Sequence, residues 1–182
     1  MRLVEEDISE ILTDHAWCEQ KAASNAITLT VRYPHLTDLV TEMIRVAQEE
    51  IEHFGLVHEK IKERGFQLGR ERKDDYVNDL LAFTKKSGTE EERLVDRLLF
   101  AAMIEARSCE RFRVLSEGIS DPELSEFYAD LMKSEAMHYT MFLKFARQYG
   151  ADVCDVDALW EKFLQYEAEV ISKYGKKEHI HG

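Results

Sequence analysis

Two short stretches place a glutamate and a histidine three residues apart. "QEEIEHFG" supplies Glu50 and His53, and "KSEAMHY" supplies Glu135 and His138. Residues three apart share a face of a helix, so each pair presents a carboxylate beside an imidazole. Both groups suit iron, and carboxylates can bridge two ions while leaving positions open for dioxygen. One Glu-x-x-His arises readily by chance in a chain with 36 acidic residues. Two of them, at corresponding places in two halves of the chain, point to a two-metal centre. Such a centre takes this pair twice and adds one glutamate from each of two further helices. Glu49 and Glu52 point away from the first pair and are left to solvent or to a supporting role.

That ligand set demands long helices, and the sequence supplies them. Apolar residues Ile8, Ile11, Leu12, Ala16, Ala22, Ala23 and Ala26 follow helical spacing. They predict a first helix from about Glu5 to Arg32. Tyr33 precedes Pro34 and is pushed out of the α region, which ends it. A second helix is expected from about Leu36 to Arg64, stopping at Gly65. A third starts at the capping box of Thr89 and Glu92 and runs to about Glu117, stopping at Gly118. A fourth starts with Asp121 as N-cap and Pro122 at the first helical position. It runs to about Gln148 and stops at Gly150. A shorter helix covers about Val156 to Lys173. Between the second and third helices lie about 25 residues that hold a short amphipathic stretch, "DDYVNDLLAF". The expected fold is all-α: a ferritin-like four-helix bundle with a long crossover between helices 2 and 3 and an extra C-terminal helix. Residues 1–182 are expected to form a single domain of this kind.

The two lone glutamates follow from distance to the turns, because residues level with each other in a hairpin lie equally far from it. Glu50 is 16 residues past Pro34 and Glu19 is 15 before it. Glu10 would be out of level by about 12 Å and Asp14 by about 6 Å, at 1.5 Å per residue. In the second hairpin Glu135 is 16 residues past Ile119 and Glu105 is 14 before it. Glu110 is out of level by about 10 Å and lies about 140° around the helix from Glu105. Against that choice, "CEQK" and "CERF" resemble each other, which would pair Glu19 with Glu110. Level is the stronger criterion. The expected metal ligands are therefore Glu19, Glu50, His53, Glu105, Glu135 and His138. The alanines flanking Glu19 either pack two helices closely or leave room for a substrate.

Composition bounds the rest. The chain is 45% hydrophobic and 33% charged, with a net charge of −12. No apolar run approaches the roughly 20 residues that span a bilayer, and the acidic N-terminus lacks a signal core. Cys18, Cys109 and Cys154 are an odd, widely spaced set, which argues against disulfides and fits a reducing cytoplasm, with Cys18 and Cys109 expected to be small buried residues. Strong acidity excludes a general nucleic-acid binder. Local basic groups remain: Arg64, Arg70, Arg72 and Lys73, with Lys85 and Lys86, and separately Arg107, Arg111 and Arg113. The tail "KKEHIHG" carries two histidines and is expected to be a disordered end.

"DHAWCEQKAASNA", "AQEEIEHF", "IEARSCERF" and "SEAMHYTMFLKFA" resemble the tRNA hydroxylases that act on 2-methylthio-N6-isopentenyladenosine next to the anticodon. The crossover "RGFQLGRERKDDYVNDL" is similar as well, although "KDDY" departs from a family pattern with proline after the first acidic residue. The resemblance spans Leu12 to about Tyr149 and agrees with Glu105 as a ligand. It implies a di-iron monooxygenase with two iron ions that inserts one oxygen atom of O2 into an allylic C–H bond of the isopentenyl group. Its partners would be tRNA and an electron-donating reductase or ferredoxin. The alternative class is an iron-oxidising or peroxide-reducing protein of the ferritin or rubrerythrin kind. The absence of C-x-x-C pairs speaks against a rubrerythrin's second module.

Overall fold

The computed structural model describes residues 8–84 and 87–174, all helix and connecting loop. Among these residues six helices follow in order: α1 Ile8–Arg32, α2 Thr37–Glu63, α3 Asp75–Leu81, α4 Glu90–Gly118, α5 Pro122–Gly150 and α6 Val156–Tyr174. The expected start of α1 at Glu5, the lysines at 85 and 86 and the tail histidines lie outside the described residues. The chain forms two compact units, residues 1–73 and 74–182. No helix among the described residues is long and apolar enough to cross a membrane.

The first unit is a hairpin of α1 and α2. The last turn of α1 closes with Tyr33 N–H on the Leu29 carbonyl, and Leu36 N–H returns to the Tyr33 carbonyl at 3.1 Å. Four residues therefore reverse the chain. α1 buries Leu12, Ala16, Ala23, Ala26 and Leu29, while α2 buries Leu39, Met43, Val46, Val57 and Ile61. Both sets recur at the three- and four-residue intervals of a single helix face. α2 ends in a left-handed cap: Gly65 has φ 72°. Gly65 N–H reaches the Lys62 carbonyl and Phe66 N–H the Ile61 carbonyl, which satisfies carbonyls that the helix end would leave bare. The chain then runs back beside α1. Trp17 Nε1 donates to the Gly69 carbonyl at 3.0 Å, Lys21 meets Glu71 at 3.1 Å, and Arg72 meets Glu10.

The second unit holds the other long hairpin, α4 with α5, and two shorter helices. Both long helices carry the caps expected of their sequences. Thr89 Oγ1 accepts from Glu92 N–H at 3.2 Å while Glu92 Oε2 accepts from Thr89 N–H at 2.9 Å. Asp121 Oδ1 accepts from Glu123 N–H and Leu124 N–H at 3.0 and 3.3 Å. The amphipathic stretch of the crossover forms α3, with Asp74 accepting from Val77 N–H. α3 packs on α6: the Phe83 and Phe163 rings stack at 4.5 Å, and Tyr166 Oη donates to the Asp79 carbonyl at 2.9 Å. α5 stops at Gly150 as expected, and Gly150 is itself helical, without the positive φ of Gly65. A Cβ at this position would collide with Val156 and Val95, so glycine is needed here for close packing. Gly118 is likewise helical, and Ile119 caps α4.

Candidate metal centre

In the first unit, Glu19 from α1 and Glu50 and His53 from α2 all turn inward and are 3%, 0% and 8% exposed. Their ligand atoms lie within 4.8 Å of one another. His53 Nδ1 stands 3.5 Å from Glu50 Oε2 and 3.6 Å from Glu19 Oε2. These separations are long for hydrogen bonds and leave the three groups facing a shared point. The second unit repeats the pattern. Glu105 from α4 and Glu135 and His138 from α5 are buried, again with ligand atoms within 4.8 Å of one another.

Burying this many ionisable groups is costly unless they are neutralised or bound to a cation. The first triad shows the consequence. Burial pushes the Glu19 carboxyl up to about 8, and the neighbouring Glu50 carboxylate adds to the rise against the lowering pull of His53. Burial alone would lower His53, but the carboxylates of Glu19 and Glu50 override it and raise it to about 10. Without metal the triad thus retains protons that it would lose in water. A cation replaces those protons, which is how metal binding couples to ionisation. The donor set of two carboxylates and one imidazole in each unit fits iron.

The rejected candidates lie elsewhere. Glu49 meets Arg45 at 2.8 Å, Glu52 is exposed, Glu10 meets Arg72, and Glu110 is exposed and paired with Arg107. Cys18 and Cys109 are half-buried rather than buried. Burial pushes the Cys109 thiol up, away from the thiolate a metal would want. Ala16, Ala23 and Ala26 are buried and Ala22 is half-buried, as close helix packing requires. The apolar groove on this hairpin is lined instead by residues such as Ile27, Ile44, Ala47 and Ile51.

The ligand pattern did not single out His15. It is fully buried, one turn before Glu19 on α1, and its Nε2 lies 2.5 Å from Glu19 Oε1. The usable signal was its i,i+4 spacing from a ligand candidate on the same face. A second buried set also escaped the motifs. Tyr76 Oη donates to Glu167 Oε1 at 3.0 Å, and Arg107 Nε meets the same oxygen at 3.3 Å.

Comparison with known proteins adds to this geometry. Residues 2–182 match the family model described as tRNA-(MS[2]IO[6]A)-hydroxylase (MiaE). The chain is 39% identical over 175 residues to the tRNA 2-(methylsulfanyl)-N(6)-isopentenyladenosine(37) hydroxylase of Pseudomonas putida, covering 96% of this chain and 83% of that protein. It is 28% identical to the protein of the same name from Salmonella typhimurium, covering 94% of this chain and 79% of that one. Among solved structures it is similar to a Synechococcus protein with aldehyde deformylating oxygenase activity. That match has a TM-score of 0.84 and 31% identity, over 98% of this chain and 86% of the other. The fold is the expected all-α, ferritin-like one. By a match that runs from residue 2 to residue 182, the chain belongs to the tRNA-(MS[2]IO[6]A)-hydroxylase (MiaE) family.

Proposed function

We propose that this protein hydroxylates the isopentenyl group of N6-isopentenyladenosine, in its 2-methylthio form or without it, next to the anticodon of tRNA. The balance is one C–H bond, O2, two electrons and two protons giving one C–OH group and water. The electrons come from a reductase or ferredoxin-type partner. The observation that carries the reading is the repeated buried triad, Glu19, Glu50 and His53 in one unit and Glu105, Glu135 and His138 in the other. We take these six as the ligands of two iron ions, and residues 1–182 as one ferritin-like di-iron domain working in the cytoplasm.

When bound, the irons supply the activation of dioxygen and the oxidation of the allylic carbon. The chain's own part is to hold and orient the ligands. The glutamates and histidines sit on long helices, whose rigidity fixes ligand direction better than loops would. Their burial keeps bulk water from the reacting groups. The substrate's phosphates must meet a protein of net charge −12, so binding relies on local cations. Arg107 is occupied by Glu110 and Glu167, and Arg113 meets Glu117. In the crossover group Arg70 is exposed, and we take it to contribute to that binding.

Nucleoside analysis of tRNA from cells with and without the gene tests the reading. Loss of the hydroxylated nucleoside, with its unhydroxylated precursor accumulating, is expected. Unchanged levels would overturn it.

A further inference from the structure

Of the four carboxylates in the two triads, Glu19 alone has an imidazole one helical turn before it. The residues at the same position before Glu50, Glu105 and Glu135 are Val46, Ala101 and Leu131. His15 is fully buried, and a buried imidazole is costly unless hydrogen-bonded. Its bond goes to Glu19 Oε1 at 2.5 Å, while Glu19 Oε2 points toward His53. The two oxygens of Glu19 therefore have different tasks. With a cation bound Glu19 is ionised and can only accept, so His15 Nε2 then carries the proton of this bond.

From this geometry we propose that His15 is a positioning residue for the metal centre. It holds Oε1 of Glu19 and leaves Oε2 as the one ligand atom, so Glu19 binds its ion through a single oxygen. Before Glu105 the corresponding place is taken by Ala101, whose side chain has no donor, so this means of holding a carboxylate is not repeated there. This rests on the reading of the triads as metal ligands. A partner that fixes a ligand's orientation typically changes metal affinity by about 10–100-fold.

The test uses the full chain, freed of metal and titrated anaerobically with Co(II) alone, followed by ligand-field absorption. Wild-type protein is expected to bind two ions. His15→Phe keeps the bulk but lacks the donor, and it is expected to weaken one of the two steps by about 10–100-fold and change that ion's spectrum. His15→Gln, which retains an N–H donor, is expected to recover most of the affinity. If His15→Phe does not fold, His15→Ala takes its place beside His15→Gln. Two ions bound with unchanged affinity and spectrum in the donor-free variant would overturn the role of His15 while leaving the metal reading intact. Equal losses in the donor-free and Gln variants would reduce His15 to packing and overturn it too. Wild-type protein that binds no Co(II) would sink the metal reading, and this proposal with it.

Discussion

The α1–α2 and α4–α5 hairpins carry the same chemistry on different supports. Each contributes one lone glutamate from its first helix and a Glu-x-x-His pair from its second, all buried. In the first, support comes from within: His15 backs Glu19. α2 starts at Leu36 without a side-chain cap. The second hairpin is anchored at its helix starts and to its neighbouring helices. Both helices begin with side-chain caps, and Arg107 of α4 shares Glu167 of α6 with Tyr76 of α3. Ligand type is dictated by the metal and so repeats. The surroundings of each hairpin depend on the neighbours the chain provides, and so diverge.

The strongest break of this equivalence is ligand removal. Glu50→Ala and Glu135→Ala are each expected to lower hydroxylation by more than the 10–100-fold typical of changes to groups that only orient ligands. Iron content after anaerobic loading should fall in both. The iron-free Glu50→Ala form should also melt lower, because His53 loses a buried counter-charge. If either variant kept full iron and activity, the two triads would not be equivalent in chemistry, and the comparison would fail at its root.

A smaller effect concerns protons. In the iron-free protein Glu19 is raised from 4.5 to about 8 and His53 from 6.5 to about 10. The folded form then binds more protons than the unfolded chain across this range. Stability must fall as pH rises, beginning near 4.5 and complete above about 10. Iron-free protein should therefore unfold at lower denaturant at pH 8.5 than at pH 5.5, and Glu19→Gln should flatten the dependence through the lower part of that window. Metal affinity should run the other way and rise with pH, since binding releases the same protons. A wild-type midpoint that is flat or rises between pH 5.5 and 8.5 would remove the basis for reading the first triad as proton-retaining.

How much of this the sequence discloses depends on the range of the signal. The caps at Thr89–Glu92 and Asp121–Pro122 are legible because both partners lie within one turn of chain. The stop at Gly65 is legible for the same reason, as its left-handed cap is built from adjacent residues. Gly150 is legible as a stop, but its packing role is not, because tertiary contact sets Val95 and Val156 against it. The burial of Glu19 and Glu105 could be anticipated from their distance to the turns, since a hairpin converts chain distance into height. His15 was visible in principle, four residues from a marked glutamate, yet the ligand pattern assigns it no place. The Tyr76–Glu167 bond joins residues 91 apart and leaves no local trace.

That last bond offers the mildest test, confined to the second region. Tyr76→Phe keeps the ring and removes one donor from Glu167, which retains Arg107. Losing a hydrogen bond to a charged group costs about 1.5–3 kcal/mol. For a chain of this size each kcal/mol lowers the melting temperature by roughly 2–4 °C. Hydrogen exchange should locate the loss. Amides of α3 and α6 should exchange faster, because Tyr76 and Glu167 join those helices, while those of α1 and α2 should be unchanged. Faster exchange throughout α1 and α2 would show that the two hairpins draw on a common support, and the division between inner and outer bracing would have to be given up.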